Sequence, residues 1–395
     1  MTSTAEQMRH YHGPAIFSFG FRPFFLAGAL LAATLPLLIA LAMSGAVAIG
    51  GPYGAIAWHG HEMVFGFLAA IVTGFLLTSV PNWTGRLPVM GWRLAALFAL
   101  WLAGRIAMAS AGLIGVKIAA LIDAPFLFAV DIIIGREIIR GKNWRNMPVF
   151  AMVGFFALGN LLWHWNAITN GAPHFGSRSG IAVVAMLISL IGGRITPSFT
   201  RNWLMRTGRP AASATIDLLD KATLSATAAA LIYWLINPVG PVAGALLFLA
   251  SALHVARLFR WQGWRTTAEP LVTILHVGYG WLALSLSLLG ASAAFPATVL
   301  ASAALHAFTA GAAGVMILAV MTRATRGHTG RPLAADAATV AIYALVNLGA
   351  LARVAASYWT PDYPMALVAA SFIWSGAFLL FAIVYGRYLL TPKLA

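Results

Sequence analysis

The sequence predicts an all-α membrane protein of twelve transmembrane helices, with both termini on the cytoplasmic side. Three observations carry that expectation. The 395-residue chain is 61% hydrophobic and only 9% charged, whereas soluble domains carry roughly a quarter charged residues. Apolar stretches near 20 residues, the length that crosses a hydrocarbon core, recur twelve times. The connectors between them alternate in charge. With the N-terminus inside, all but Arg105, Lys117, Arg178 and Arg353 of the 25 Lys and Arg fall on the inner face, as the positive-inside rule requires. The net charge of +15 is therefore read as topology and not as affinity for nucleic acid.

The spans are placed in order at 24–43, 55–79, 91–110, 113–135, 147–169, 180–198, 219–237, 239–258, 270–290, 296–322, 334–357 and 364–388. The first 23 residues are polar and basic, without a short apolar core and cleavage site. The first helix is thus expected to serve as the insertion signal, with no cleavable peptide. The whole chain, 1–395, is read as one polytopic domain.

That domain is expected to be built from three pseudo-repeats of four helices, at about 20–140, 145–262 and 267–390. Thr84-Gly85-Arg86, Thr207-Gly208-Arg209 and Thr329-Gly330-Arg331 each follow an even-numbered helix, spaced 123 and 122 residues. Pro23, Pro148 and Pro270 each open a helix, spaced 125 and 122 residues. Proline suits a first turn, where its missing N–H breaks no bond. Two triplets in register point to internal repetition.

The stretch Trp58-His59-Gly60-His61-Glu62-Met63 carries three ionisable side chains at the head of an apolar span. Such groups are costly in a bilayer without a partner, and a metal is one such partner. His61 and His306 each lie 23 residues before a repeated threonine, Thr84 and Thr329. They are expected at equal depth on helices 2 and 10, able to face each other across a flat ligand. The second repeat has Val184 there. His59 is two residues from His61, about 200° around a helix, so the two cannot share one metal from one face. His276, with Tyr279 one turn on, is a further metal candidate. His164 between Trp163 and Trp165 reads as an interfacial histidine, and His254 as a core histidine near Arg257. His10, His12, His174 and His328 are read as solvated.

Glu62 and Asp123 are the carboxylates placed for proton transfer. Glu62 could instead orient His59 or pair with an arginine, and Asp123 could pair with Lys117 or an arginine. Arg105 and Arg353 sit inside outer helix ends, where guanidinium groups would suit the propionates of a haem or snorkel to the surface. Gly192-Gly193-Arg194-Ile195-Thr196-Pro197 reads as a turn at lipid headgroups. Gly311, Ala312, Ala313 and Gly314 read as a close-packing face or as room for a flat cofactor. Cysteine is absent, which excludes thiolate ligands, disulfides and cysteine nucleophiles. No phosphate-cradling loop is found.

Phe21-Arg22-Pro23-Phe24-Phe25, Trp58-His59-Gly60-His61-Glu62-Met63, Gly192 through Asn202, Leu305-His306-Ala307-Phe308-Thr309 and His328-Thr329-Gly330-Arg331 together resemble the NnrS family, over essentially the whole chain. The resemblance implies a haem- and copper-containing protein of the bacterial inner membrane, made in response to nitric oxide and protective against nitrosative stress. It assigns no ligand set. Twelve helices with histidines on helices 2 and 10 also resemble the catalytic subunit of haem–copper oxidases and nitric oxide reductases. Helices 6 and 7 carry no histidine here, so the copper ligands of that superfamily are missing.

The expected function is nitric oxide binding or turnover at haem b, with copper supplied by the resemblance. His61 and His306 are the axial candidates, His59 the reserve, and Arg105 and Arg353 the propionate partners. Reduction, oxidation and removal of nitric oxide from iron–nitrosyl complexes all remain open, as does the electron donor, a quinol or a cytochrome. The alternative is a transporter for a small solute or metal along a histidine-lined path. A membrane sensor or scaffold ranks last.

Overall fold

The structure is a computed structural model that describes residues 11–169, 171, 174–210, 217–359 and 362–394. His10 and Arg9 lie outside the described residues. All regular elements among those residues are helical. The long helices are α1 (Phe21–Met43), α2 (Ala55–Thr84), α3 (Trp92–Ala109), α4 (Val116–Arg140), α5 (Trp144–Thr169) and α6 (His174–Arg206). They continue as α7 (Leu218–Ile236), α8 (Pro241–Trp261), α9 (Pro270–Ala294), α10 (Ala301–His328), α11 (Ala337–Ala356) and α12 (Tyr363–Leu390).

Eleven of these helices are long and apolar enough to cross a membrane. The exception is α7, which falls short of that apolarity. This helix has 19 residues, but Asp220 lies in its first turn beside Lys221. Asp220, Thr223 and Thr227 are buried. Asp220 accepts from Arg257 Nε on α8 at 2.8 Å. Arg257 also donates to the hydroxyl of Tyr279 on α9, and Tyr279 in turn meets His254 Nδ1 at 2.8 Å. His254 Nε2 reaches Thr227 back on α7 at 3.0 Å. Buried polar groups must be paired, and this ring pairs them while joining three helices.

The chain divides into two compact units. One comprises Met1–Val183, His328–Arg331 and Ala382–Ala395; the other comprises Val184–Gly327 and Pro332–Phe381. In the first unit, Arg22 is not a surface charge. It is 3% exposed, and its Nη1 donates to the carbonyls of Leu389 and Thr391 at 2.8 and 2.6 Å. A cation there satisfies the open carbonyls at the end of α12.

Three helices contain π-helical segments: Glu62–Leu68 in α2, Ile188–Gly192 in α6 and Ala307–Ala313 in α10. Each such segment shifts the backbone hydrogen bonds by one residue. The indole of Trp101 donates to the carbonyl of Gly66 at 3.0 Å, inside the first segment. The indole of Trp374 donates to that of Ala310 at 3.0 Å, inside the third. The glycines of the repeated Thr-Gly-Arg motif have left-handed φ values of +67° (Gly85), +72° (Gly208) and +77° (Gly330). A glycine after the last helical turn takes this conformation without a Cβ penalty.

The stretch from Gly192 to Pro197 is helical and not a headgroup turn, because α6 runs on to Arg206. Its glycine has a packing reason. A Cβ at Gly193 would fall on the guanidinium of Arg257. That group is pinned by Asp220, Tyr279 and the carbonyl of Ser189, so it cannot yield cheaply. Gly193→Ala is therefore expected to destabilise the fold by about 1–3 kcal/mol, read as a lower thermal midpoint in detergent. An unchanged midpoint would contradict this packing account.

Candidate metal centre

Five elements of the first unit converge on one buried polar cluster. His61 ends the first α-helical part of α2, and Glu62 opens the π-helical segment. Arg105 comes from α3. Asp123 ends the first part of α4, just before Pro125 restarts it. Asn160 and His164 come from α5, one turn apart and so on one face. Two glycines make room for them. A Cβ at Gly66 would fall on Arg105 Nη1, and one at Gly104 would sit 2.7 Å from Asp123 Oδ1.

The contacts are dense. Arg105 Nη1 donates to Glu62 Oε1 at 2.8 Å, and Nη2 donates to Asp123 Oδ1. The other carboxylate oxygen, Asp123 Oδ2, receives Asn160 Nδ2 at 2.9 Å and His164 Nε2 at 2.9 Å. It also lies 3.2 Å from His61 Nε2. His61 Nε2 is 3.0 Å from Asn160 Oδ1, and His61 Nδ1 is 3.1 Å from Glu62 Oε1. Exposure is 0–1% for His61, Glu62, Asp123, Asn160 and His164 and 8% for Arg105.

Asn160 gives its Nδ2 to Asp123, so its Oδ1 is the atom facing His61. Both ring nitrogens of His61 therefore face oxygen atoms, an arrangement that an imidazolium satisfies. With His61 in that form and both carboxyl groups ionised, two negative charges face two positive ones. Neutrality is what burial in a low-dielectric interior demands.

The same donors suit a cation. His61, Asp123 and His164 each offer one ligand atom, and these atoms lie within 4.8 Å of one another. Three polar atoms of the surround are buried without a hydrogen-bond partner among the described residues: His164 Nδ1, Arg105 Nε and Trp163 Nε1. Arg105 Nε and Trp163 Nε1 are N–H donors, so each calls for an acceptor such as water or an anion and not for a cation.

Compared with known protein families, residues 15–393 match NnrS, described as NnrS protein. The chain belongs to the NnrS family. No curated protein matches it. It is a multi-pass NnrS membrane protein with a buried His–Asp–His group able to bind a metal.

The other residues singled out in the NnrS sequence lie elsewhere. His59 is half-buried in α2. His306, in the second unit, donates from Nδ1 to the carbonyl of Ser302 at 2.7 Å. Arg353 donates to Ser357 and Ser302 hydroxyls at 3.0 and 3.2 Å. His276 Nε2 meets Thr200 Oγ1 at 2.7 Å. His164 is corrected most: it is a buried partner of Asp123 and no interfacial residue. His328, expected in solvent, stacks on Phe19 at 5.5 Å between ring centroids. Sequence reasoning missed Asn160 and Trp163. The available signal was Asn160 and His164 at helical spacing in an otherwise apolar helix.

The ion pairs generate a stability prediction. Arg105→Met strands two buried carboxylates and is expected to cost about 3–5 kcal/mol. Adding Glu62→Gln should recover part of that loss. Thermal unfolding of the single and double variants checks it, and strictly additive losses would contradict the pairing.

Proposed function

We propose that this NnrS-family chain is a bacterial inner-membrane metalloprotein of nitric oxide metabolism and nitrosative-stress resistance, with copper held by His61, Asp123 and His164. The observation that carries the reading is the buried His–Asp–His group. Two imidazoles and a carboxylate form a borderline donor set that suits copper among other first-row ions. A bound copper ion would supply one-electron exchange at that place.

The chain's own residues then have distinct work. Asp123 is assigned to the ion and Glu62 remains the residue suited to holding a proton. Glu62 contacts the far nitrogen of His61, and such outer partners orient a ligand and set its basicity. Arg105 clamps both carboxylates and keeps Asp123 Oδ2 turned toward the histidines.

For haem b, His306 is kept as the axial candidate. Its Nδ1–H is held by the Ser302 carbonyl at 2.7 Å, a contact that orients the ring. His61 is assigned to the ion instead, because its Nε2 lies 3.2 Å from the Asp123 oxygen that His164 Nε2 also meets. On the small-residue stretch beyond His306, the Trp281 ring lies where a Cβ at Gly311 would fall, and Trp374 lies against Gly314. We keep the twelve-crossing topology, with both termini inside and three repeats, as part of the proposal. Its support is the recurrence of π-helical segments in α2, α6 and α10 and of left-handed glycines at the three Thr-Gly-Arg motifs.

Elemental analysis of the purified protein tests the ion site. Wild type should carry copper, and His61→Ala and His164→Ala should each lose most of it while keeping helical content. Cells making His164→Ala should also lose protection from nitric oxide. A His164→Ala protein with full copper and full protection would sink the reading. Separately, His306→Ala should abolish the Soret band, and a band of full intensity would remove His306 from the haem.

A further inference from the structure

Trp163 on α5 is 0% exposed, and its indole N–H has no hydrogen-bond partner among the described residues. Buried tryptophans ordinarily find an acceptor. Two others in the same unit do so: Trp58 donates to the carbonyl of Met108 at 3.2 Å and Trp101 to that of Gly66 at 3.0 Å. Trp163 departs from this pattern beside the metal-type cluster. Its ring centroid is 4.3 Å from that of His61 and 5.3 Å from that of His164. Tyr53 packs on it at 5.2 Å, but the Tyr53 hydroxyl is directed to the carbonyl of Val116 at 3.5 Å. Arg105 Nε is a second unpartnered buried donor of the cluster.

Charge gives an independent argument. A ligating imidazole must be neutral. With both carboxyl groups ionised, Glu62, Asp123 and Arg105 sum to one negative charge, and a divalent ion leaves one positive charge in a buried site. A monoanion restores neutrality, and an unpaired N–H is the group that would hold its acceptor atom.

We propose that Trp163 is a positioning residue whose indole N–H donates to a small monoanion bound beside the ion at His61, Asp123 and His164. The proposal rests on the metal reading above. The rings of Trp163 and of Phe65, 4.3 and 5.4 Å from that of His61, place apolar surface beside it and favour a small ligand.

The test uses the full-length protein loaded with cupric ion alone, and azide as the monoanion. Copper content is measured first, then azide affinity from its charge-transfer band and the azide stretch in the infrared. Trp163→Phe should keep its copper, bind azide about tenfold to a hundredfold more weakly, as expected for a hydrogen bond to a charged group, and shift the stretch. Should Trp163→Phe fail to fold, a benzothiophene analogue of tryptophan at 163 keeps the shape and removes only the N–H, with the same result expected. Unchanged affinity and an unshifted stretch in either protein would overturn the role of Trp163 alone. A wild type that holds no copper would overturn the metal reading and this proposal together.

Discussion

Electroneutrality in a dry interior governs the first unit. Glu62, Asp123 and Arg105 are buried together and leave one negative charge to be compensated. A membrane-embedded protein cannot leave that charge exposed to hydrocarbon. A second proton on His61 supplies that compensation and suits the oxygen atoms facing both of its nitrogens. A cation on the same Nε2 would take that proton's place. Proton and metal are thus alternatives at one atom, which is why a structural ion-pair cluster and a metal site can be the same set of residues.

The backbone is shaped to build this cluster. The π-helical segment that begins at Glu62 follows directly on His61, and Gly66 within it clears the way for Arg105. Proline at 125 ends the helical run so that Asp123 stands at its edge. Asn160 and His164 then close around one carboxylate oxygen. The second unit uses the same devices for another end. Gly193 admits Arg257, and the ring of Asp220, Arg257, Tyr279, His254 and Thr227 ties α7 to α8 and α9. Membrane helices that carry ionisable groups depend on such partners because lipid supplies none.

Much of the fold was legible in the residues because hydrophobic span length is a strong signal. Each expected stretch corresponds to a long helix. What composition could not convey was that α7 gains its place through polar partners and not apolarity. Asp123, Glu62, His61 and Arg105 were each noticeable as ionisable groups within apolar runs, but their mutual contact was not. It depends on side chains from α2, α3 and α4 meeting at one depth, which no local spacing encodes. His164 was misread because flanking tryptophans mark interfaces as often as cores. Asn160 was overlooked because a neutral amide draws little attention until a carboxylate orients it. The glycines at 66, 104 and 193 were equally silent, since their reason is an arginine or aspartate on another helix.

The most direct test of the shared proton-and-metal site is X-ray absorption at the copper edge of the purified wild-type protein. The account predicts a first shell of nitrogen and oxygen donors with the outer-shell scattering of two imidazoles. A shell dominated by thioether sulfur, or one without paired imidazoles, would place the ion away from His61, Asp123 and His164 and contradict the account.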